Sequence, residues 1–148
     1  MQKRETGVLP ITDRRMTRFN ITLQQGVDFV LQCLERMWGG ELFVPKIPSY
    51  RILDVAEAVD PECKQNIVGI RPGEKMHELL LNEYEIKYSI ESNGVYILLP
   101  SNYVNMGHIR KMYPNSKSLG LQVYSSDNVP HISKNDLKKI LIKHKFKI

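Results

Sequence analysis

Arg71 and Glu74 stand in the run Gly69 to Leu80, GIRPGEKMHELL, where an arginine, a proline and a glycine precede an acidic stretch. Arginine grips phosphate through two parallel N–H groups. The pattern predicts a strand over 66–70 and a helix over GEKMHELL, with Pro72 at its start, where a missing N–H costs nothing. The free amides of such a helix start favour an anion. Glu74 would lie in the first turn, placed to accept hydrogen bonds from a ligand hydroxyl. A structural reading competes, in which Glu74 stabilises its own helix N-terminus and Arg71 pairs with a carboxylate. Arg18 is the second cation. If Met16-Thr17-Arg18-Phe19 is extended, Arg18 shares a face with Met16. It is then either an inward-facing phosphate ligand or an edge-strand charge. Thr12, Asp13, Arg14 and Arg15 suit a binding loop and equally a plain turn.

Other reactive residues form no set. His77 and Glu78 are adjacent, so on a helix they diverge and cannot share a metal; one of the two is expected to face solvent. His108, His131 and His144 are scattered. No catalytic residue and no metal site is assigned. Tyr113-Pro-Asn-Ser-Lys117 spells Y-x-x-x-K, but that pair works from one helical face, and Pro114, Asn115 and Ser116 oppose a helix. No G-x-G-x-x-G occurs. Cys33 and Cys63 lie far apart and read as reduced thiols.

The elements that must position these residues alternate. Thr22 and Gln25 form a capping box. Leu23, Val27, Val30, Leu31, Leu34 and Trp38 then recur at helical spacing, and Gly39-Gly40 stops the helix. Glu41 to Pro45 reads as a buried strand. Ile52 to Val59 reads as a helix with Ile52, Val55, Ala56 and Val59 on one face. Tyr84 to Ile90 and Gly94 to Pro100 read as a hairpin, residues 101–132 as loop. Ser133 with Asp136 caps a last helix burying Leu137, Ile140 and Leu141. Helix and strand in alternation give the α/β class.

The 148 residues suffice for one domain with a core. No apolar run approaches the roughly 20 residues of a membrane span, and the N-terminus has no apolar signal core. A cytoplasmic protein without membrane contact is expected. The net charge is +5, and six lysines fall in the last sixteen residues. These lysines read as a solvated helix face; nucleic-acid contact is the sharper alternative, but no aromatics interleave with them and no nucleic-acid partner is expected.

LPITDRRMTRF, ITLQQGVDFVLQCLERMWGGELFVPKIPS, DVAEAV and GIRPGEKMHELL together resemble the C-terminal half of the UDP-N-acetylglucosamine 4,6-dehydratases (inverting). These are extended short-chain dehydrogenase/reductases of bacterial polysaccharide, capsule and flagellin-sugar biosynthesis. YSSDNVPHISKNDLKKIL is similar to the end of the same proteins. The resemblance implies the C-terminal portion of an NAD(P)-binding Rossmann-like fold, incomplete, with a β-hairpin and a C-terminal helix. Residues 1–82 would form the UDP-sugar-binding region with the last Rossmann elements, ELFVP among them, and 83–148 an extension. Arg18 and Arg71 would hold the diphosphate, Glu74 the ribose or nucleotide, and Thr12 would sit near the uridine. Asn20 departs from the family, which carries a large side chain there.

The family reaction oxidises C4 with NADP, eliminates water across C5–C6 and returns the hydride to C6. The resemblance places the cofactor turn and catalytic residues before Met1. NADP or NAD would therefore belong to the complete enzyme, with none bound by this chain alone, which would be inactive by itself. The partners implied are UDP-N-acetylglucosamine or a related UDP-sugar, the missing N-terminal half as a separate chain, and further copies in a homo-oligomer of the complete enzyme. An apolar surface including Phe43, Val44, Ile67 and Val68 would be left exposed. A fragment of a UDP-glucose 4-epimerase-type capsule protein and a stand-alone UDP-sugar-binding module are the alternatives.

Overall fold

The structure, a computed structural model, describes residues 7–100 and 106–144. In chain order its elements are β1 (Val8–Ile11), β2 (Thr17–Phe19), α1 (Leu23–Arg36), β3 (Leu42–Pro45), β4 (Ser49–Arg51), α2 (Ile52–Val59), β5 (Lys64–Ile67), β6 (Leu79–Leu81), a 3-10 turn (Glu85–Tyr88), β7 (Ser89–Ser92), β8 (Val95–Leu98), α3 (Met106–Met112), β9 (Lys117–Ser118), β10 (Tyr124–Ser125) and α4 (Lys134–Lys143). The α/β class holds. The contacts group into two compact units, Met1–Asn20 with Pro48–Glu78 and Ser126–Ile148, and Ile21–Ile47 with Leu79–Ser125.

In the first unit β1 and β5 pair in parallel from Val8↔Lys64 to Ile11↔Ile67. Parallel pairing sends the segments that follow both strands out of the same, carboxyl end, the position at which α/β proteins bind ligands. Those segments carry Thr12 on one side and Arg71 with Glu74 on the other. β2 and β4 pair antiparallel, with Arg18 opposite Tyr50. α2 packs on α4, burying Ala56, Ala58 and Leu137. Ser133 caps α4 through the Asp136 amide.

The helix expected over GEKMHELL does not form. Pro72 and Gly73 take the centre of a turn closed by the Glu74 amide on the Arg71 carbonyl at 3.0 Å. Gly73 sits at φ +80°, the conformation a type II turn asks of its third residue, with proline favoured before it. Turn chemistry thus overrides the helix-prone residues that follow. The strand expected over 66–70 lies earlier, at 64–67, because Gly69 leaves the extended region at φ +84°.

The second unit is built on an antiparallel sheet ordered β3-β8-β7-β9. Asn93 and Gly94, at φ 48° and 78°, turn β7 into β8, as an Asn-Gly hairpin requires. The first hairpin strand is shorter than expected. Asn82 accepts the amides of Tyr84 and Glu85 at 2.9 Å each and so winds 85–88 into the 3-10 turn. Residues 106–112, expected as loop, are helical; residues 101–105 of that stretch and 145–148 of the lysine-rich end lie outside the description. Ile90, Val95, Ile97, Ile109 and Tyr113 form the core, with Phe29, Phe43, Leu99 and Met112 against it. Val44, expected on an exposed surface, is buried and Phe43 partly so, whereas Ile67 and Val68 are exposed.

Candidate functional site

The side chains with the densest polar contacts gather in the first unit, around β2. Alternation along β2 sends Met16 and Arg18 to one face and Thr17 to the other. Met16 is buried, and Arg18 is 18% exposed. The Arg18 guanidinium donates to the carbonyls of Thr17 at 2.7 Å and Met76 at 3.2 Å. It also donates to the Met16 sulfur at 2.9 Å and to Glu74 Oε1 at 3.5 Å. Glu78 Oε1 is 3.9 Å from its Nε. Glu78 Oε2 meanwhile accepts the Phe19 amide at 2.8 Å. The cation is held inward between two carboxylates, not left on an edge.

Three of the four expected ligand residues meet here. Thr12 donates to the same Met16 sulfur at 3.1 Å, so one thioether joins Thr12 to Arg18. Glu74 faces Arg18 through Oε1 and accepts the Arg71 amide through Oε2 at 3.2 Å. Glu74 thus closes a turn, where a helix N-terminus was expected. The Arg71 side chain stands in solvent, with no ion pair among the described residues. Asp13 and Arg15 close on each other through a forked pair. The Arg15 guanidinium drives the Asp13 carboxyl down to about 2. These two form a turn and leave Thr12 as that loop's contribution.

On the other face of β2, Thr17 Oγ1 lies 2.6 Å from Ser126 Oγ and 2.8 Å from His77 Nδ1. The Glu78 amide donates to Ser126 Oγ at 2.9 Å. These bonds fasten the 71–78 segment to β2. One of His77 and Glu78 was expected to face solvent; both are half-buried and bonded. Glu78, Thr17 and Ser126 were not found from the sequence. The alternation in MTRF pointed at Thr17's face, but Ser126 lies 109 residues away and carries no local signal. Burial and the neighbouring Glu78 carboxylate push the Tyr50 hydroxyl up, so beside Arg18 it stays a neutral donor.

The residues present do not fit a dinucleotide. Among the described residues the one glycine-punctuated turn after a parallel strand, 69–74, leads into no helix, so it lacks the amides that hold a pyrophosphate. No step is assigned to NAD or NADP. Among the described residues no group of three His, Cys, Asp or Glu side chains could hold a metal ion, and no helix is long and apolar enough to cross a membrane.

Comparison with known proteins decides the family. The profile described as "Polysaccharide biosynthesis protein" matches residues 1–100. The chain belongs to that family. It is 50% identical over 93 residues to "UDP-N-acetylglucosamine 4,6-dehydratase (inverting)" of Campylobacter jejuni subsp. jejuni serotype O:2, a match covering 63% of this chain and 28% of the relative. It is 29% identical over 146 residues to "UDP-glucose 4-epimerase" of Rickettsia bellii, covering 95% and 42%. Among solved structures, Pen from Bacillus thuringiensis superposes with a TM-score of 0.79 at 28% identity, over 98% of this chain and 44% of that one. The chain thus spans less than half the length of each of these relatives. The matched residues of the family profile include the whole Arg18–Glu74–Glu78 cluster.

Proposed function

We propose that this chain is the nucleotide-sugar-binding part of an enzyme that remodels UDP-sugars. Arg18 and Arg71 hold the diphosphate, Glu74 takes a ribose hydroxyl or the nucleotide, and Thr12 lies near the uridine. Residues 1–82 supply these contacts and 83–148 form an extension. The observation that carries the reading is the inward guanidinium of Arg18, held at the carboxyl end of the parallel pair with Glu74 at 3.5 Å. That separation sits at the limit of a hydrogen bond. The pair is therefore ready to exchange: a diphosphate takes the fork of Arg18, and Glu74 is freed for a hydroxyl.

The names of the relatives support a UDP-sugar as ligand, and N-acetylglucosamine as the sugar. The 4-epimerase reading has its own support, since those relatives match over 95% of the chain. Oxidation chemistry with NAD or NADP belongs, on this proposal, to the complete enzyme. A second chain carrying the remaining length of the relatives is the partner, and the setting is the cytoplasm, with no nucleic acid involved.

Calorimetry with UDP and UDP-N-acetylglucosamine tests the site. Arg18→Ala should weaken binding by about 2–3 kcal/mol, the cost of losing a charged contact in a partly buried place. Arg71→Ala, in solvent, should lose less. Arg18→Lys keeps the charge without the fork and guards against a folding defect. UDP affinity unchanged in both alanine variants, in folded samples, would sink the assignment.

A further inference from the structure

Resting on the nucleotide reading, we infer that His77 is a positioning residue of that site, acting through a hydrogen-bond chain that is complete in one direction only and only with an uncharged imidazole.

The chain joins β2 to the 71–78 segment and to Ser126. Thr17 Oγ1 lies 2.8 Å from His77 Nδ1 and 2.6 Å from Ser126 Oγ. The Glu78 amide donates to Ser126 Oγ at 2.9 Å. Among the described residues the two hydroxyls have no further partner. Thr17 is 3% exposed and Ser126 not at all, so bulk water offers no substitute.

Each hydroxyl has one proton to place. With Nδ1 as an acceptor, Thr17 donates to His77, Ser126 donates to Thr17, and Ser126 accepts the Glu78 amide. Every proton then has an acceptor. With a proton on Nδ1 the order reverses. His77 donates to Thr17, Thr17 donates to Ser126, and Ser126 still takes the Glu78 amide. The Ser126 proton is left without an acceptor in a buried place, which is costly. The network therefore selects the neutral imidazole with its proton on Nε2. A charged imidazole carries a proton on both nitrogens and forces the costly order.

The cost falls on the segment that carries Arg71 and Glu74. Met76 and Glu74 on this segment both meet the Arg18 guanidinium, so loosening at His77 disturbs the place where the diphosphate is held. Charged and titratable groups surround the ring. Asp13, in the loop before β2, is close enough for His77 to lower its carboxyl, and Arg15 is paired with it. Glu78 is engaged by Arg18 and by the Phe19 amide. His131 meets the Ser126 carbonyl through Nε2 at 3.2 Å. Lys75 and Asp127, the other charged neighbours along the two segments, are exposed. The Asp13 carboxylate thus favours a cation at His77, and the hydroxyl chain opposes it.

The full chain serves for two measurements. A nitrogen–proton spectrum of the imidazoles at about pH 8 should show His77 neutral, with its proton on Nε2. Calorimetry with UDP-N-acetylglucosamine, whose diphosphate keeps its charge over the range in which a histidine titrates, should give binding at least about fivefold weaker at about pH 5.5 than at about pH 8. His77→Gln keeps an acceptor and cannot be charged, so it should flatten that profile. His131→Gln should leave the shape of the profile as in the parent. A neutral ring with its proton on Nδ1, a parent affinity that does not fall with pH, or an equal fall in His77→Gln overturns the inference. Absence of binding, or binding that Arg18→Ala does not weaken, would overturn the nucleotide reading and the positioning role with it, while the imidazole spectrum still reports the direction of the chain.

Discussion

Helices α1 and α4 obey the same local rules and meet opposite ends. Both open on a hydroxyl cap, Thr22 and Ser133. α1 is the stronger helix, with 14 residues and a complete capping box, against 10 residues in α4. Yet α4 buries Leu137 where it packs against α2, and α1 buries none of its residues. The stripe Leu23, Val27, Val30, Leu31 and Leu34 is exposed, Leu23 at 87%. α1 sits on its own unit by the other side, through Phe29 against the core and Arg36 over Phe43. The difference teaches that helical periodicity announces an apolar face and says nothing of what covers it. In α4 the cover is α2. For α1 the proposed cover is the second chain that supplies the remaining length of the relatives.

Truncating one leucine in each helix breaks or sustains this comparison. Leu137→Ala should cost about 2–5 kcal/mol, the range for a buried leucine. Leu31→Ala, on the exposed stripe, should stay within about 0.5 kcal/mol. Urea unfolding of both variants decides it. Equal losses would mean that α1 is covered within the isolated chain.

The next effect concerns association. Leu31→Glu with Leu34→Glu should leave the urea midpoint of the chain unchanged. It should also weaken the proposed association with a chain carrying the remaining length of the relatives by about 100-fold or more, since two desolvated carboxylates would have to be buried. Analytical ultracentrifugation of the mixed chains reads this out. Undiminished assembly would mean that another surface, such as exposed Ile67 and Val68, makes the contact.

What was legible in the sequence was what is local. The capping box at Thr22 and the Ser133 cap each involve residues within four positions, and each formed as read, whereas the hairpin turn expected between Ile90 and Gly94 sits at Asn93-Gly94. The helix over GEKMHELL failed on a local signal that was present but outweighed in the reading. Pro72-Gly73 is the centre of a type II turn, and Gly73 at φ +80° continues no helix. α3 escaped because the loop-forming residues around it hid Ile109 and Tyr113, whose burial comes from partners on β7 and β8. In the site, Arg18 and Glu74 were each named, but their approach across 56 positions needed the fold. Met16, which joins Thr12 to Arg18 through its sulfur, read only as an apolar neighbour.

The smallest effect asks what holds the end of α1, if not its apolar stripe. Glu41 is the candidate. Burial alone would push its carboxyl up. The Tyr113 hydroxyl, at 2.6 Å, and the amides of Trp38 and Gly39 outweigh that and draw it below the usual glutamate value. A carboxyl depressed in the folded state contributes stability that is fully present above its unfolded value, about 4.3, and that is lost as pH falls through the folded value. Glu41→Gln should therefore melt lower than the parent at neutral pH, and the gap should close as pH falls below about 4. Glu91, drawn down by Lys46 in the same unit, titrates in both proteins and cancels from the difference. A gap that stays constant with pH would show that the Glu41 charge does no anchoring. A gap that closes, with Trp38 ellipticity lost alongside, would mean that α1 is held at its polar end while its apolar face waits for a partner.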